Sequence, residues 1–324
     1  MSVLLLGFAE DHFDETQKEA IARAAEGLEP VYTRDRGDIE ARLGSIEVAV
    51  GGFPRDLLGS APNLRWFQQW GAGADWLMKR PEVADKDFVL TNVSGIHAVP
   101  IGEHIFAFLL AFARRFPEAT RDQLSATWSQ RENQRERQPS FELAGKTMLL
   151  LGVGAIGART AMLAQAFGMR VVGVRRNADK QLEDIAEMVP LDALKNVLPD
   201  ADVVVLTLPL TPDTHHIIGE AELRALKNTA LLVNIGRGGL IDEPALVRAL
   251  EEGRLAGAGL DVFETEPLPE DSPLWRMENV IITPHTSGDT PHYDARALEI
   301  FLGNLRRYAK GEPLTHVVDK QLGY

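Results

Sequence analysis

Cysteine is absent from this chain of 324 residues. Disulfide bonds, thiolate metal ligands and a cysteine nucleophile are therefore excluded. A cysteine-free composition fits a reducing compartment. The apolar start of the chain, residues 3–8, has no basic segment before it and is followed by Glu10 and Asp11. This pattern is typical of a buried strand rather than of a secretion signal, so we predict a cytoplasmic protein.

A long hydrophobic run is also missing. The longest, from Ile105 to Phe112, is closed by Arg114 and Arg115, and it falls short of the roughly 20 residues that cross a bilayer. Basic residues are in the minority, with a formal net charge of -13 at pH 7. Because nucleic-acid phosphates require basic faces, this charge argues against such a partner. We expect neither a membrane nor a nucleic-acid partner, and an anionic ligand must meet a local group of arginines.

The chain does contain an alternation of short β-rich runs with helical segments. Its length exceeds what one hydrophobic core usually organises, so two domains are expected. Up to about Asn92, helical or turn patterns separate strand candidates at residues 3–7, 47–51, 65–68 and 88–90. This alternation predicts a small parallel α/β sheet.

Two helical patterns flank the middle of the chain. Residues 101–116 are apolar almost all round, as expected of a helix buried between two domains. Residues 294–309 form the last helix, which we expect to cross back to the first domain. The stretch 129–138 is dense in Arg, Glu and Gln without apolar periodicity, and it predicts a solvated excursion with no chemistry.

A second set of strands follows that excursion. Helical patterns such as 156–167 and 243–252 separate strand candidates at residues 147–151, 170–174, 203–208, 230–235, 258–262 and 280–283. We therefore predict an α/β fold with two doubly wound parallel-sheet domains. A Rossmann domain over residues 99–288 is inserted into a smaller flavodoxin-like domain made of residues 1–98 and 289–324.

A glycine-rich loop follows the first strand of this second set and precedes an alanine-rich helix. Its sequence, Gly-Val-Gly-Ala-Ile-Gly, matches the dinucleotide-binding pattern in the required context. Gly152 permits the tight turn, Gly154 lets the backbone approach a pyrophosphate, and Gly157 lets the helix pack on the strand. The helix N-terminus, with Ala155 and Ile156, favours the phosphate charge. A glycine-rich turn without ligand and a methyltransferase loop remain the alternatives.

Two arginines stand where an NAD site would place an acid. Arg175 and Arg176 follow the second strand of this set, near the position at which Asp or Glu binds the adenosine 2′-hydroxyl. A guanidinium can instead bind a 2′-phosphate bidentately. The pair therefore favours NADP(H) over NAD(H), with solvent-facing arginines as the alternative.

Six motifs together resemble the D-isomer-specific 2-hydroxyacid dehydrogenases over nearly the whole chain. They are the glycine loop and residues 71–75 (GAGAD), 208–212 (LPLTP), 234–238 (NIGRG), 260–267 (LDVFETEP) and 283–285 (TPH). Within the family the chain is most similar to the NADPH-dependent glyoxylate/hydroxypyruvate (2-oxo acid) reductases. It departs from the family's common pattern at Gly236, where alanine is frequent.

The resemblance places the family's catalytic residues on Arg237, Glu266 and His285. Hydride addition to a ketone leaves negative charge on oxygen, and histidine is suited to donate the matching proton near neutral pH. A carboxylate partner, Glu266, favours the charged imidazolium and orients the ring. Arg237 would hold the substrate carboxylate in a fork. Taken singly, each residue has a structural alternative: a surface ion pair, the cap of a turn, or a packed histidine.

Further contacts are implied by the same resemblance. Those to the cofactor fall on Leu208, Pro209, Ile235, Gly236, Asp261 and Gly288, of which Asp261 and the Ile235 carbonyl would meet the nicotinamide carboxamide. The backbone N–H groups of Ala72 and Gly73 would bind the substrate carboxylate, with a plain turn as the alternative. His104 is interpreted as a packing or capping group. Two adjacent histidines, His215 and His216, have no further ligands in view, so we predict no metal.

These observations predict an oxidoreductase that reduces small 2-oxo acids with NADPH to D-2-hydroxy acids, with His285 as proton donor. Relatives of this family are usually homodimers, and the resemblance implies the same here. Two alternatives remain open at this point. One is a nucleotide-sensing binding protein similar to corepressors on the same fold. The other is oxidation of a hydroxy acid or a phosphite-like anion, by the same residues in reverse or on another substrate.

Overall fold

The computed structural model describes residues 2–128, 140–178 and 182–323. The predicted excursion at 129–138 lies outside these ranges. The chain divides into two compact units, one made of Met1–Ile96 with Thr290–Tyr324 and the other of His97–Asp289. Within the described ranges, no helix is both long and apolar enough to span a bilayer.

The first unit is built on a five-stranded parallel sheet with the order β2-β1-β3-β4-β5. Its strands are β1 (Ser2–Gly7), β2 (Leu28–Tyr32), β3 (Ile46–Gly51), β4 (Trp66–Gln68) and β5 (Val89–Thr91). Its helices are α1 (Glu15–Ala24), α2 (Arg36–Arg42), α3 (Pro81–Ala84) and, at the end of the chain, α10 (Tyr293–Ala309). The sheet is buried on both faces, which explains why β1 is a continuous apolar run rather than an alternating one.

Helices α1 and α10 cover one face of this sheet. Asp14 begins α1 with a capping box, because its carboxylate accepts from the Gln17 N–H while the Gln17 side chain accepts from the Asp14 N–H. Ile21 of α1 and Phe301 of α10 are fully buried against Leu4 and its neighbours in β1. The last helix therefore completes the core of the unit in which the chain begins.

Strand β2 was not predicted from the sequence. It lies at the edge of the sheet and pairs with β1, with Pro30 opposite Leu4. Proline lacks the backbone donor of a ladder and is tolerated at an edge. The proline and the partly exposed residues around it interrupt the apolar pattern from which a strand is predicted.

The second unit contains a seven-stranded parallel sheet with the order β12-β11-β10-β9-β6-β7-β8. Its strands are β6 (Thr147–Leu151), β7 (Arg170–Val174), β8 (Glu187–Val189), β9 (Val203–Leu206), β10 (Leu231–Asn234), β11 (Gly257–Leu260) and β12 (Val280–Ile282). Its helices are α4 (Ala98–Ala113), α5 (Phe116–Leu124), α6 (Ala155–Ala166), α7 (Leu194–Val197), α8 (Glu220–Ala225) and α9 (Glu243–Glu251). The predicted fold class is confirmed. The strand order reverses between β6 and β9, where open α/β sheets bind ligands at the carboxyl ends.

Helix α4 owes its apolar character to contacts inside this unit. It packs against α6 and against β11, whose glycines admit its aromatic rings. A Cβ atom at Gly259 would lie 2.8 Å from the Phe108 ring, and one at Gly257 would lie 3.0 Å from Phe112. Ile105 and Leu109 of the same helix are fully buried. The two glycines thus let helix and sheet approach more closely than larger residues would allow.

Candidate active site

The glycine loop connects β6 to α6 in a conformation that requires glycine at two positions. Gly152 has φ +97°, and a Cβ atom there would lie 2.9 Å from the Leu208 backbone nitrogen. A Cβ atom at Gly157 would lie 2.4 Å from the Gly152 carbonyl oxygen. Both contacts are with backbone that cannot move aside, so these glycines allow the turn and the close packing of α6 on the sheet.

The third glycine borders open space. Gly154 is the N-cap of α6, and a Cβ atom there would meet nothing within 4 Å. Helix α6 has 12 residues, and no side chain caps its N-terminus within the described residues, which leaves its first N–H groups and the positive end of its dipole for a ligand. A tight turn, an unobstructed glycine and a helix N-terminus together fit the pyrophosphate of a dinucleotide.

Thr207 supports this loop and was not singled out from the sequence. It directly follows β9, and its Oγ1 donates to the Gly152 carbonyl at 2.6 Å. The Gly152 N–H in turn donates to the Val174 carbonyl at the end of β7 at 2.9 Å. The loop is therefore held from the strands on both sides of β6. A single threonine after a strand gives no sequence signal for such a role.

Arg175 and Arg176 are the first two residues after β7. The Arg175 N–H donates to the Val189 carbonyl of β8 at 3.1 Å, which fixes its backbone at the carboxyl end of the sheet. Arg175 is half-buried and Arg176 is exposed. The carboxyl end of β7 neighbours that of β6, from which the glycine loop emerges. Both residues thus belong to the edge that carries the candidate dinucleotide site.

His285 and Glu266 form a hydrogen-bonded pair. The His285 Nδ1 lies 2.8 Å from the Glu266 Oε2, and the other carboxylate oxygen accepts from the Phe263 N–H at 3.0 Å. About half of the His285 side chain is exposed, at 52%. Because Nδ1 is engaged by the carboxylate, Nε2 is the nitrogen that can reach a substrate. The structure brings these two predicted residues together as the resemblance requires.

The backbone at His285 is left-handed, with φ +57°. This region is uncommon for residues other than glycine and is found at sites where the surroundings hold it in place. Here the His285 N–H donates to the Asp261 carbonyl at 2.9 Å. The histidine is therefore presented on a sharply turned loop that begins after β12.

Asp261 organises this loop with its buried carboxylate. Its Oδ1 accepts from the Thr286 N–H at 2.9 Å and from the Thr283 Oγ1 at 2.6 Å, while its Oδ2 accepts from the Ser287 N–H at 3.0 Å. The residue is completely buried, and three donors offset the cost of burying its charge. Its predicted contact with a nicotinamide carboxamide stays a prediction.

His104 extends the same network from α4. Its Nε2 lies 3.0 Å from the Thr283 Oγ1. Since Thr283 donates its proton to Asp261, its oxygen is the acceptor for His104. Burial lowers the pKa of His104, and the negative charge of Asp261 opposes this only in part. The ring also packs edge-on against Phe108, with centroids 4.6 Å apart, so His104 acts here as a neutral packing and donor group.

Arg237 lies in the loop after β10, and the side chain of Asn234 holds the backbone of this loop. The buried Asn234 accepts from the Gly236 N–H at 3.1 Å and donates to the Arg237 carbonyl at 2.9 Å. The half-buried Arg237 side chain donates from Nη1 to the Gly236 carbonyl at 2.8 Å. These bonds of Asn234 fix the turn of the backbone after β10, so that Arg237 lies in the loop at the carboxyl end of the sheet.

Two further glycines place this loop against its neighbours. A Cβ atom at Gly238 would lie 1.8 Å from the Phe263 carbonyl carbon, so the loops after β10 and β11 touch through their backbones. A Cβ atom at Gly236 would lie 2.9 Å from the Leu208 carbonyl oxygen and 2.8 Å from Leu240. Glycine in place of the family's frequent alanine at position 236 therefore avoids close contacts with Leu208 and Leu240.

The other predicted cofactor residues lie along the same edge. Leu208 and Pro209 follow β9, and Ile235 follows β10. Gly288 packs against His97, because a Cβ atom there would lie 2.8 Å from the imidazole ring. Ala72 and Gly73 belong to the first unit and lie in the loop after β4.

The adjacent histidines have local partners. The rings of His215 and His216 stack with centroids 3.8 Å apart. The His216 Nε2 lies 2.5 Å from the Glu264 Oε1, which is an ion pair when the histidine is protonated. Within the described ranges, no group of three or more His, Asp or Glu side chains has the arrangement of a metal site.

Comparison with known proteins identifies the family. Residues 106–287 match the model of the D-isomer specific 2-hydroxyacid dehydrogenase, NAD binding domain. A glyoxylate reductase of Korarchaeum cryptofilum is 38% identical over 266 residues, which cover 81% of this chain and 78% of the relative. The region matched by the family model contains the glycine loop, both arginines after β7 and all three predicted catalytic residues.

Solved structures agree over the full length. An NADPH-dependent glyoxylate/hydroxypyruvate reductase of Sinorhizobium meliloti, in complex with NADP and sulfate, is 30% identical, with a TM-score of 0.82 and complete coverage of both chains. A D-isomer specific 2-hydroxyacid dehydrogenase of Xanthobacter autotrophicus, in complex with NADPH and MES, is 31% identical, with a TM-score of 0.83 over 100% of this chain and 99% of the other. The predicted resemblance is confirmed: this chain belongs to the D-isomer specific 2-hydroxyacid dehydrogenases.

Proposed function

We propose that the protein reduces small 2-oxo acids to D-2-hydroxy acids with NADPH. The observation that carries this proposal is the 2.8 Å pair of His285 and Glu266 at the sheet edge that also presents the glycine loop. Such a pair supplies a proton donor beside a dinucleotide site, as carbonyl reduction requires. The names of the relatives, glyoxylate reductase and glyoxylate/hydroxypyruvate reductase, support the same reaction class.

The proton and charge chemistry follows from three side chains. The nicotinamide, when bound, supplies the hydride that adds to the substrate's carbonyl carbon. His285 donates its Nε2 proton to the carbonyl oxygen, and Glu266 holds the ring and balances the charge of the imidazolium before transfer. Arg237 binds the substrate carboxylate through a charge-assisted fork and draws electron density from the adjacent carbonyl. In the oxidative direction His285 accepts the proton instead.

The cofactor would be held by backbone and charge. The residues that fit this task are Gly152, Gly154, Ala155, Ile156 and Gly157 at the pyrophosphate and Leu208, Pro209, Ile235, Gly236, Asp261 and Gly288 at the nicotinamide end. Arg175 and Arg176 would bind the 2′-phosphate. We also propose, from the family resemblance, that residues 99–288 form the cofactor domain, that residues 1–98 and 289–324 form the substrate-binding domain, and that the protein is a cytoplasmic homodimer without a metal.

A steady-state assay tests the reaction class. We expect glyoxylate, hydroxypyruvate or a larger 2-oxo acid to oxidise NADPH, followed at 340 nm, with a D-2-hydroxy acid as product on chiral chromatography. A nucleotide-sensing binding protein would bind NADPH and turn over none of these acids. Binding without turnover across the whole substrate series would therefore contradict the proposal.

The arginine pair predicts the cofactor preference. We expect the double change Arg175→Asp with Arg176→Ala to lower the ratio of kcat/KM for NADPH to that for NADH by about ten- to a hundredfold, because a charged hydrogen bond contributes about 1.5–3 kcal/mol. The ratio is measured with one 2-oxo acid at saturation. The two single variants show which guanidinium carries the preference.

Arg170 offers a matched control for this pair. It begins the same strand at the opposite end and binds Glu187 on the exposed edge at 2.8 Å. Arg170→Ala should leave the cofactor ratio unchanged. If the double variant also keeps its NADPH preference, the 2′-phosphate is bound elsewhere and this assignment is wrong.

A further inference from the structure

In the loop after β4, residues 71–74, the first three backbone carbonyls accept hydrogen bonds from two buried amide side chains. Gln69 Nε2 donates to the carbonyls of Gly71 and Gly73, at 3.0 and 2.6 Å. Asn92 Nδ2 donates to the carbonyl between them, that of Ala72, at 2.7 Å. Three successive acceptors are therefore satisfied by two side chains.

The remaining polar groups of the loop are its donors. The Ala74 carbonyl accepts from the Leu77 N–H at 3.0 Å. Among the residues that the structure describes, none accepts a hydrogen bond from the N–H groups of Ala72, Gly73 or Ala74. Because neighbouring peptide units here have their oxygens held by the protein, their N–H groups are left for a ligand, and an anion is the partner that several adjacent N–H groups attract.

Both amides are themselves fixed in place. Gln69 and Asn92 directly follow β4 and β5, neighbouring strands of the sheet, and are only 5% and 6% exposed. The Gln69 Oε1 accepts from the Trp76 Nε1 at 2.6 Å, and the Asn92 Oδ1 accepts from the Ser94 N–H at 3.0 Å. A buried amide is costly unless hydrogen-bonded, and here all three hydrogen bonds that the two side-chain NH2 groups donate go to one short loop.

We propose that Gln69 and Asn92 are positioning residues that hold the carbonyls of the 71–74 loop inward so that its N–H groups bind the carboxylate of the substrate. This inference rests on the proposed function, which supplies a carboxylate ligand. The amide side chains act on the substrate through the loop and do not touch it. Their removal should therefore affect affinity for the carboxylate more than the rate of the chemical step.

Apolar substitutions of similar size test this role without adding charge. For Gln69→Met and, separately, Asn92→Leu, we expect KM for glyoxylate, or for the best 2-oxo acid found, to rise about tenfold or more, because the charge-assisted bonds from the loop lose their alignment. We expect kcat to change by less than about threefold and KM for NADPH to stay the same. The dissociation constant of oxamate, measured by calorimetry on the NADPH-saturated enzyme, should rise in parallel with the substrate KM.

Asn304 provides the matched control. It is a fully buried amide in the same unit that likewise binds a backbone carbonyl, that of Thr315, at 3.0 Å. Asn304→Leu should lower Tm as the test variants do but leave KM and oxamate binding unchanged. If Gln69→Met and Asn92→Leu also lower only Tm, the two amides are merely structural and the inference is overturned.

The oxamate measurement separates this inference from the proposed function. A wild-type protein that binds oxamate but reduces no 2-oxo acid contradicts the proposed function, and weaker oxamate binding in the two variants then still supports the positioning role. A wild-type protein that turns over while both variants keep its KM and oxamate affinity contradicts the inference alone. Failure of one variant to fold leaves the other, on a different strand, to decide.

Discussion

Replacing His285 is expected to lower kcat for 2-oxo acid reduction by about 10²–10⁴-fold, the contribution typical of a positioned general acid. His285→Asn is the sharper variant, because asparagine tolerates the left-handed backbone at φ +57°, and His285→Ala is its companion. The dissociation constant of NADPH, measured by fluorescence titration, should stay within about twofold. The loss arises because no other group then protonates the alkoxide as it forms.

His316 is a matched control for this substitution. It has the same left-handed φ of 57° and is exposed, and its Nδ1 contacts only the neighbouring Thr315 hydroxyl among the described side chains. His316→Asn should reproduce any change in stability without the change in kcat. Full turnover by both His285 variants would remove this residue from the mechanism.

The second large effect is expected at Arg237. Arg237→Met should lower kcat/KM for the 2-oxo acid by about 10²–10⁴-fold, since two charge-assisted hydrogen bonds of about 1.5–3 kcal/mol each are lost. Arg237→Lys should fall between the wild type and the methionine variant, because an ammonium keeps the charge but not the planar fork. Oxamate affinity on the NADPH-saturated enzyme should follow the same order.

Arg276 serves as the control for this series. It is an exposed arginine at the end of the turn Pro273–Arg276 in the same unit, and Arg276→Met should leave kcat/KM unchanged. If Arg237→Met raises neither KM nor the dissociation constant of oxamate, the carboxylate is bound without this guanidinium. The loop at residues 71–74 would then be the principal carboxylate site.

Much of the fold was predictable because its signals are local. Strands β6 and β7 were predicted at the residues where the structure has them, since each is a buried apolar run that ends in a turn. The glycine loop was predictable for the same reason, because a tight turn and a close helix contact restrict a position to glycine whatever the rest of the chain does. The two missed strands, β2 and β8, lie at sheet edges, where pairing with one neighbour defines the strand.

The side chains that shape the site were harder to predict. Asn234, Thr207 and Gln69 act through hydrogen bonds to backbone groups, and an isolated polar residue at or just after the end of a strand is ordinary in any sequence. The partner of Thr207 is 55 residues away, so no spacing rule reveals it. The partners of Asn234 and Gln69 are within four residues, but these bonds form only once the loops have their folded shape. His104 is a further case, since its acceptor Thr283 lies 179 residues along the chain.

The sequence by itself determined the family, the α/β class and the residue types available for proton transfer, carboxylate binding and phosphate binding. These features could be predicted because they depend on short motifs whose residues are close together in the sequence. Only the tertiary structure decided which side chains bond to one another. Glu266 accepts from the Nδ1 of His285, and Asp261 accepts from Thr283 in the loop that carries His285. Gln69 and Asn92 bind carbonyls of the 71–74 loop. The physical reason is that parallel strands distant in the chain bring their carboxyl ends to one edge, where directional hydrogen bonds then select particular partners.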